Sequence, residues 1–269
     1  MSETFSAEWL ALRADADAAA CSPALADRLA AWARSKASVR IVDLGAGTGA
    51  HLRRTAPRLR VRQRWDLVER DPALIAAGGV RLARAPVAWR YVALDLARDL
   101  DELGSLEPDL ITASALLDLV SAAWLERLAE LRRRTGAALY VVLTIDGRLQ
   151  WRPDDPADAA CHALVERHQR TDKGFGPALG PEATAALQRL LTPEPGELRL
   201  ARSDWRLDAD ASTLQAELLR GYRAAAAAMA PEQAGEIDAW AERRARWIAD
   251  GRSTLLVGHQ DLLFLPQVP

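Results

Sequence analysis

The sequence predicts an α/β fold with a doubly wound, mostly parallel seven-stranded sheet. Short apolar segments alternate with helical patterns between residues 39 and 145, the order that βαβ units produce. The segment 138–145 is an almost unbroken apolar run, which is typical of parallel strands covered on both faces. Three glycines at alternate positions follow the first apolar segment, and they predict a sharp turn from a strand into a helix.

The individual elements follow from periodicity and capping residues. Helices are expected over 7–35, where Ser22 would cap a helix that begins at Pro23. Strands are predicted at 39–44, 65–68, 89–94, 110–113, 138–145 and 197–203, with a final strand or hairpin at 253–265. The other helices are predicted at 50–56, after Asp71-Pro72, and at 122–134, 157–169, 181–191 and 214–249.

The 269 residues are expected to form a single domain, 1–269. Residues 1–37 would form an N-terminal helical cap, and residues 152–196 a helical insertion after strand five. Within that insertion, the segment 168–180 combines titratable side chains with glycines and an aromatic residue. Such a composition predicts a mobile lid over a binding site.

Composition argues against several classes of protein. The formal net charge is −2, whereas proteins that grip a nucleic acid backbone usually carry a basic surplus. Cys21 and Cys161 stand alone without metal-site spacing, which fits a reducing cytoplasm. The first residues lack the features of a secretory leader, and no apolar run approaches the length of a membrane span. We therefore expect a cytoplasmic chain with no membrane or nucleic acid partner.

The main binding signal is the segment 41–49, IVDLGAGTG. Its glycines would let the backbone approach a ligand at the start of the following helix, where unpaired N–H groups face the crevice. Glu69 follows strand two, where a carboxylate can accept hydrogen bonds from both ribose hydroxyls. The residues Gly45, Gly47 and Ala50 also satisfy the dinucleotide fingerprint, so this loop by itself leaves the nucleotide cofactor open.

Four segments in order resemble the motifs of class I S-adenosylmethionine (SAM)-dependent methyltransferases. The glycine segment with Asp43 resembles the first motif, and Val68-Glu69-Arg70-Asp71-Pro72 resembles the second. Leu94-Asp95-Leu96 stands where the family places an acid against the adenine amino group. The segment 109–118, DLITASALLD, resembles the strand-four motif. The resemblance is strong over residues 38–150 and loose elsewhere, and it implies an antiparallel last strand.

The resemblance implies SAM as the cofactor and a set of residues that bind it. The glycine loop would surround the aminocarboxypropyl group, Glu69 would hold the ribose, and Asp95 with Leu96 would recognise adenine. Ser114 and Ala115 would lie near the sulfonium. The full implied set is Asp43, Gly45, Ala46, Gly47, Gly49, Glu69, Arg70, Asp95, Leu96, Ser114 and Ala115.

Candidate acceptor-binding residues come from three regions: the N-terminal helix, the ends of strands four and five, and the insertion. They are Trp9, Arg13, Asp118, Asp146, Arg148, His168, Lys173 and Phe175. Trp9 is at least as well explained by core packing. No catalytic residue is predicted, because displacement at a sulfonium requires alignment and water exclusion more than a general base. No metal site is expected; His51 is interpreted as a helix-surface residue and His259 as structural.

The sequence therefore predicts a SAM-dependent methyltransferase that acts on an O, N or C atom of a small-molecule metabolite. A non-catalytic SAM-binding or partner-binding protein on the same fold is the alternative from another class. Methylation of RNA or protein is a further alternative. It is disfavoured for nucleic acid amines because Ala113-Ser-Ala-Leu116 stands in place of an Asn/Asp-Pro-Pro-Tyr motif.

Overall fold

The sheet has eight strands in the computed structural model, which describes residues 5–267. The strands are β1 Ser38–Leu44, β2 Arg62–Glu69, β3 Ala88–Ala93, β4 Leu110–Ser114, β5 Ala138–Arg152, β6 Gly196–Arg202, β7 Trp205–Leu207 and β8 Thr254–Pro266. The helices are α1 Ala7–Leu12, α2 Ala14–Ala20, α3 Pro23–Ala33, α4 Ala50–Leu59, α5 Pro72–Leu82, α6 Leu96–Asp99, α7 Ala122–Thr135, α8 Asp158–Gln169, α9 Ala183–Leu191, α10 Ser212–Met229 and α11 Ala234–Ala249. The first four residues of the expected cap lie outside the described residues.

The strand order is β3-β2-β1-β4-β5-β8-β6, with β7 paired to β8. Strands β1 to β5 pair in parallel, whereas β8 is antiparallel to both of its neighbours β5 and β6. The predicted α/β fold with a mostly parallel sheet and an antiparallel last strand is confirmed. The additional strand is β7, which has only three residues and is too short to give a periodic signal.

Helices cover both faces of the sheet, as the unbroken apolar strands require. One buried cluster lies between the sheet and helices α6, α7 and α9. The cluster on the opposite face includes residues of α3, α4 and α5. A third cluster joins the far ends of β5 and β8 to α8, α10 and α11. The carboxyl ends of β1, β2 and β4 meet at one edge, because Leu44 is in register with both Val68 and Ala113.

Strand β5 continues well beyond the predicted end at residue 145. Its pairing with β8 shifts register between Val141 and Thr144 and again between Ile145 and Leu149, after which it runs on to Arg152. These irregularities bend a strand without ending it. The helical insertion therefore begins where β5 ends, at residue 152. The single-domain organisation stays a prediction.

Within residues 5–267, no helix is both long enough and apolar enough to cross a bilayer.

Candidate functional site

A cavity of about 410 Å³ lies at the edge where the parallel strands end. This is the edge at which open α/β sheets bind ligands, and the volume falls in the range of small-molecule sites. Its walls come from the segments after β1, β2, β3 and β4, from α1 and α2, and from the loop before α9. The lining residues used below are Leu10, Arg13, Asp17, Asp43, Gly45, Ala46, Gly47, His51, Glu69, Arg70, Asp95, Leu96, Ser114, Ala115, Lys173 and Phe175.

The glycine loop turns back over the end of β1. Gly45, Gly47 and Gly49 have φ of +61°, +52° and +74°, a region that side-chain-bearing residues rarely adopt. A Cβ on Gly47 would lie 2.9 Å from the Leu10 side chain of α1, so the cap helix covers this part of the loop. Gly49 does not line the cavity; a Cβ there would meet Leu82 of α5 at 2.6 Å. Close packing between helices therefore explains Gly49.

Asp43 is a buried carboxylate at the base of the cavity. It is 1% exposed, and neither carboxylate oxygen has a hydrogen-bond partner among the described residues. Burial is the largest influence on this group and raises the pKa of Asp43 to about 8. Buried polar groups are normally paired, so a carboxylate without a partner on a cavity wall indicates a place for a cationic or hydrogen-donating ligand group.

Glu69 ties the glycine loop to the end of β2. Its Oε2 accepts a hydrogen bond from the Gly47 N–H at 2.9 Å. Its Oε1 accepts from the N–H groups of Arg70 at 2.8 Å and Asp71 at 3.0 Å. A carboxylate has about four acceptor positions, so Glu69 can serve the backbone and still accept from a ligand hydroxyl.

Arg70 and Asp95 stand side by side at the β2–β3 end of the cavity. The Arg70 Nη1 lies 3.3 Å from the Asp95 Oδ2. The Asp95 Oδ1 accepts from the Ala97 N–H and caps α6. The Leu96 carbonyl accepts from the Trp124 indole N–H at 2.7 Å. This wall is therefore held by helix caps and by α7.

Ser114 and Ala115 form the wall after β4. Ala115 has φ +52°, and its N–H donates to the Val142 carbonyl of β5 at 3.0 Å. Strained backbone of this kind tends to occur at functional sites. Here it turns the chain sharply at the strand end, beside the glycine loop.

The N-terminal cap contributes an ion pair to the opposite wall. Arg13 donates from Nε and Nη2 to the two carboxylate oxygens of Asp17 at 3.0 and 3.1 Å, and both side chains are 11% exposed. The Trp205 indole N–H of β7 donates to the same carboxylate at 3.1 Å, while the Arg13 guanidinium stacks 5.0 Å from the Trp205 ring. Three side chains therefore hold one another in place.

The loop between α8 and α9 covers the cavity from the other face of the sheet. The Phe175 ring packs edge-on against Trp124 at 5.7 Å, and the Lys173 Nζ lies 3.3 Å from the His168 Nδ1. The Asp172 carboxylate accepts from the N–H groups of Gly174 and Gly176. The segment is thus folded against the cavity, and its mobility stays a prediction.

Five of the expected acceptor residues do not line this cavity: Trp9, Asp118, Asp146, Arg148 and His168. Trp9 packs against the third core cluster. Asp146 and Arg148 lie within the extended β5, where Arg148 pairs with Asp146 and Asp204 beside a smaller cavity. The sequence predicts a loop after the strand for them. They lie instead in a bulge of β5, because the strand pairs with β8 both before them, at Ile145, and after them, at Leu149. Arg13, Lys173 and Phe175 do line the main cavity.

The interpretation of His51 as a helix-surface residue is wrong, because this residue is only 3% exposed. Thr112 donates its hydroxyl to the Tyr140 carbonyl and must therefore accept from the His51 Nε2–H at 2.7 Å. Arg54 lies 2.7 Å from the His51 Nδ1, which makes that nitrogen an acceptor. Burial lowers the pKa of His51 well below its usual range, so the ring is neutral and both nitrogens are engaged. Its helical spacing with Thr55 and Leu59, which are also buried, was the available signal.

Asp17 stands on the N-terminal helices that the sequence offers as a wall of the acceptor pocket, beside Trp9 and Arg13, and it does line the cavity. Its spacing of four from Arg13 on helical residues is a signal for an ion pair. His259 lies in β8 as expected, buried against Trp205. Among residues 5–267, no three His, Cys, Asp or Glu side chains cluster as a metal site would require.

No protein-family model matches this chain, and no curated protein matches it. Several solved structures are similar over most of its length. A SAM-dependent methyltransferase from Geobacter sulfurreducens, solved with S-adenosyl-L-homocysteine (SAH), shares 16% identity, covering 95% of this chain and 98% of that chain, with a TM-score of 0.45.

A SAM-dependent methyltransferase from Thiobacillus denitrificans with SAH shares 17% identity, covering 97% of this chain and 99% of that chain, with a TM-score of 0.45. A mycolic acid cyclopropane synthase with SAH shares 11% identity over 85% of this chain and 79% of that chain, with a TM-score of 0.49. These similarities are too distant to carry a function to this chain.

Proposed function

We propose that this chain is a SAM-dependent methyltransferase that transfers a methyl group to an O, N or C atom of a small molecule. The observation that carries the proposal is the unpartnered Asp43 carboxylate beneath a glycine loop that Glu69 holds in place. An amino-acid end with an ammonium group suits Asp43, and a ribose suits Glu69. Asp43 and Glu69 line the same cavity as Arg70, Asp95 and Leu96, the residues proposed to bind adenine.

The same loop fits a dinucleotide less well. A dinucleotide would bring its pyrophosphate to the glycine loop, next to the buried Asp43 carboxyl group. That group offers no positive charge to a phosphate, and once ionised it would repel the phosphate at low dielectric. The sheet supports the same choice, because its antiparallel β8 lies between β5 and β6, unlike the parallel order of the dinucleotide-binding fold.

The proposed roles follow the cavity from end to end. Asp43 and the loop backbone would hold the amino-acid part, and Glu69 the ribose. Arg70, Asp95 and Leu96 would bind adenine, while Ser114 and Ala115 would lie beside the sulfur. SAM, when bound, supplies a methyl group already activated on a sulfonium.

The chain itself would align the acceptor and exclude water. The cap helices α1 and α2 cover the cavity from one face, and the loop with Lys173 and Phe175 covers it from the other. His51 is unsuitable as a general base, since both of its ring nitrogens are engaged. Because Lys173 and Phe175 line the cavity from the covering loop, they are the proposed acceptor contacts. A cavity of about 410 Å³ and a net charge of −2 favour a small acceptor over nucleic acid. A cytoplasmic location stays a prediction.

Calorimetry with SAM, SAH and NAD in separate titrations tests the cofactor. We expect binding of SAM and SAH and none of NAD, and Asp43→Asn should weaken the binding of SAH. The matched variant Asp66→Asn removes another buried carboxylate, which pairs with Arg90 outside the cavity, and it should bind SAH normally. Binding of NAD without SAM would overturn the proposal.

Transfer itself requires a second measurement. Incubation of the protein with methyl-labelled SAM and a fractionated small-molecule extract should move label into a product and release SAH. If the protein binds SAM but transfers label only to added RNA or protein, the small-molecule acceptor is wrong. If it transfers label to none of these, the non-catalytic alternative is correct.

A further inference from the structure

We infer that Arg13 binds the carboxylate of the cofactor's amino-acid end while Asp43 binds its ammonium group. This inference rests on the proposed function. The cavity would then recognise both charges of a zwitterion, and would discriminate against ligands that carry the adenosine part without an intact amino acid.

The Arg13 guanidinium is held rigidly before any ligand arrives. Its Nε and Nη2 donate to the two carboxylate oxygens of Asp17, and its Cζ lies over the Trp205 ring, 5.0 Å from the ring centroid. Trp205 in turn donates to Asp17. Fixing a guanidinium in this way reduces the side-chain entropy that is lost when it binds an anion.

The clamp leaves one edge of the guanidinium for a ligand. Nη1 makes no hydrogen bond to any residue in the described part of the chain, whereas Nε and Nη2 are both used by Asp17. Asp17 has three donors on its two oxygens. Arg13 lines the cavity and is 11% exposed, so an anion that reaches Nη1 would be largely shielded from water. Charge-assisted hydrogen bonds are strong in such surroundings.

Position relates Arg13 to the amino-acid end of the cavity. Leu10 covers Gly47, since a Cβ on that glycine would lie 2.9 Å from the Leu10 side chain. Arg13 comes three residues after Leu10, which corresponds to about 4.5 Å along a helix axis. It lies between α1 and α2 and contacts Trp205 of β7. The glycine loop follows directly on β1, the strand that carries Asp43. Short stretches of chain therefore link both the cation and the carboxylate to the glycine loop.

The other cations of the cavity are placed differently. Arg70 pairs with Asp95 at the opposite end, and Lys173 reaches in from the other face of the sheet beside His168. Among the cations that line the cavity, Arg13 is therefore the one that belongs to the cap over the glycine loop. The sequence predicts Arg13 as an acceptor-binding residue, whereas the packing of Leu10 of α1 over Gly47 favours a role in cofactor binding.

The test is a thermodynamic cycle between protein and ligand. SAH and 5′-methylthioadenosine share the adenosine part, and only SAH carries the amino acid. Loss of one charge-assisted bond in Arg13→Gln should weaken SAH binding by about 10- to 100-fold, and leave the affinity for 5′-methylthioadenosine within about 2-fold. The carboxamide of SAH, which lacks the negative charge, should bind both proteins alike. Arg28→Gln is the control, because Arg28 is a cap arginine that pairs with Glu197 outside the cavity.

Each outcome bears on a different claim. If wild-type protein binds neither SAH nor 5′-methylthioadenosine, the proposed function fails. If it binds both and Arg13→Gln weakens them equally, Arg13 is only structural and the inference is overturned. It is also overturned if SAH binding is unchanged. Should Arg13→Gln fail to fold, Trp205→Phe keeps an aromatic ring at this position and removes the indole N–H donor. That variant should weaken SAH alone, by a smaller factor, and equal or no weakening would again overturn the inference.

Discussion

Replacement of Asp43 by asparagine should change how the stability of the protein depends on pH. The folded pKa of Asp43 is about 8, against 3.8 for the ordinary group, because the carboxylate is buried without a partner. As pH rises from about 4 to about 8, the unfolded chain loses this proton while the folded protein keeps it. The folded state therefore loses stability over that window, and above it both states are ionised and the loss is complete.

The magnitude follows from one proton. Each pH unit within the window lowers the free energy of unfolding by about 1.4 kcal/mol through this group alone. Asparagine has nearly the same shape and does not titrate, so the other groups contribute equally to both proteins. Between about pH 5.5 and about pH 7.5, the stability of Asp43→Asn relative to wild type should increase by about 2.7 kcal/mol.

Urea unfolding of both proteins at the two pH values measures this difference. Any cost of burying the unpaired carboxamide is the same at both values and cancels. A stability difference that does not change with pH would refute the reasoning, because it would mean that Asp43 is ionised throughout the range or finds a partner. The same proton should appear on ligand binding: in buffers of different ionisation enthalpy, SAH should release up to one proton near neutral pH from wild type and none from Asp43→Asn.

Three further predictions concern the cavity walls. Gly47→Val should abolish SAH binding with little loss of secondary structure, since its φ is +52° and its Cβ would meet Leu10; normal calorimetric binding would make the loop a simple turn. Glu69→Ala should fold but bind SAH about 10- to 100-fold more weakly. Its free energy of unfolding should fall by about 1–3 kcal/mol, because three backbone donors lose their acceptor. Unchanged affinity for SAH would contradict a ribose-binding role. Hydrogen exchange within 168–180 should slow when SAH and an acceptor are both bound; identical exchange with and without ligands would make the segment a fixed wall, and deletion of 174–176 should spare SAH binding.

The sequence determined the frame of the molecule. Strand ends could be predicted because β-branched runs stop at glycines or at helix caps, as at Leu44 and at Asp71, which does cap α5. The glycine loop, Glu69, Asp95 and Ser114 could be gathered into one site for a topological reason. Residues that directly follow parallel strands must share one edge of the sheet. Once the strands are located in the sequence, these residues can therefore be predicted to lie near one another.

Tertiary structure decided what that reasoning could not reach. Asp146 and Arg148 lie outside the expected site because β5 continues beside β8 after its register shifts. Such a bulge depends on the partner strand more than on local sequence. Arg13 and Asp17 gained their environment from Trp205, which lies 188 residues beyond Asp17 in the chain. The absence of any partner for Asp43 also became visible only in three dimensions, since burial and hydrogen bonding depend on every segment that packs around a group, and its own sequence neighbours are only a few of them.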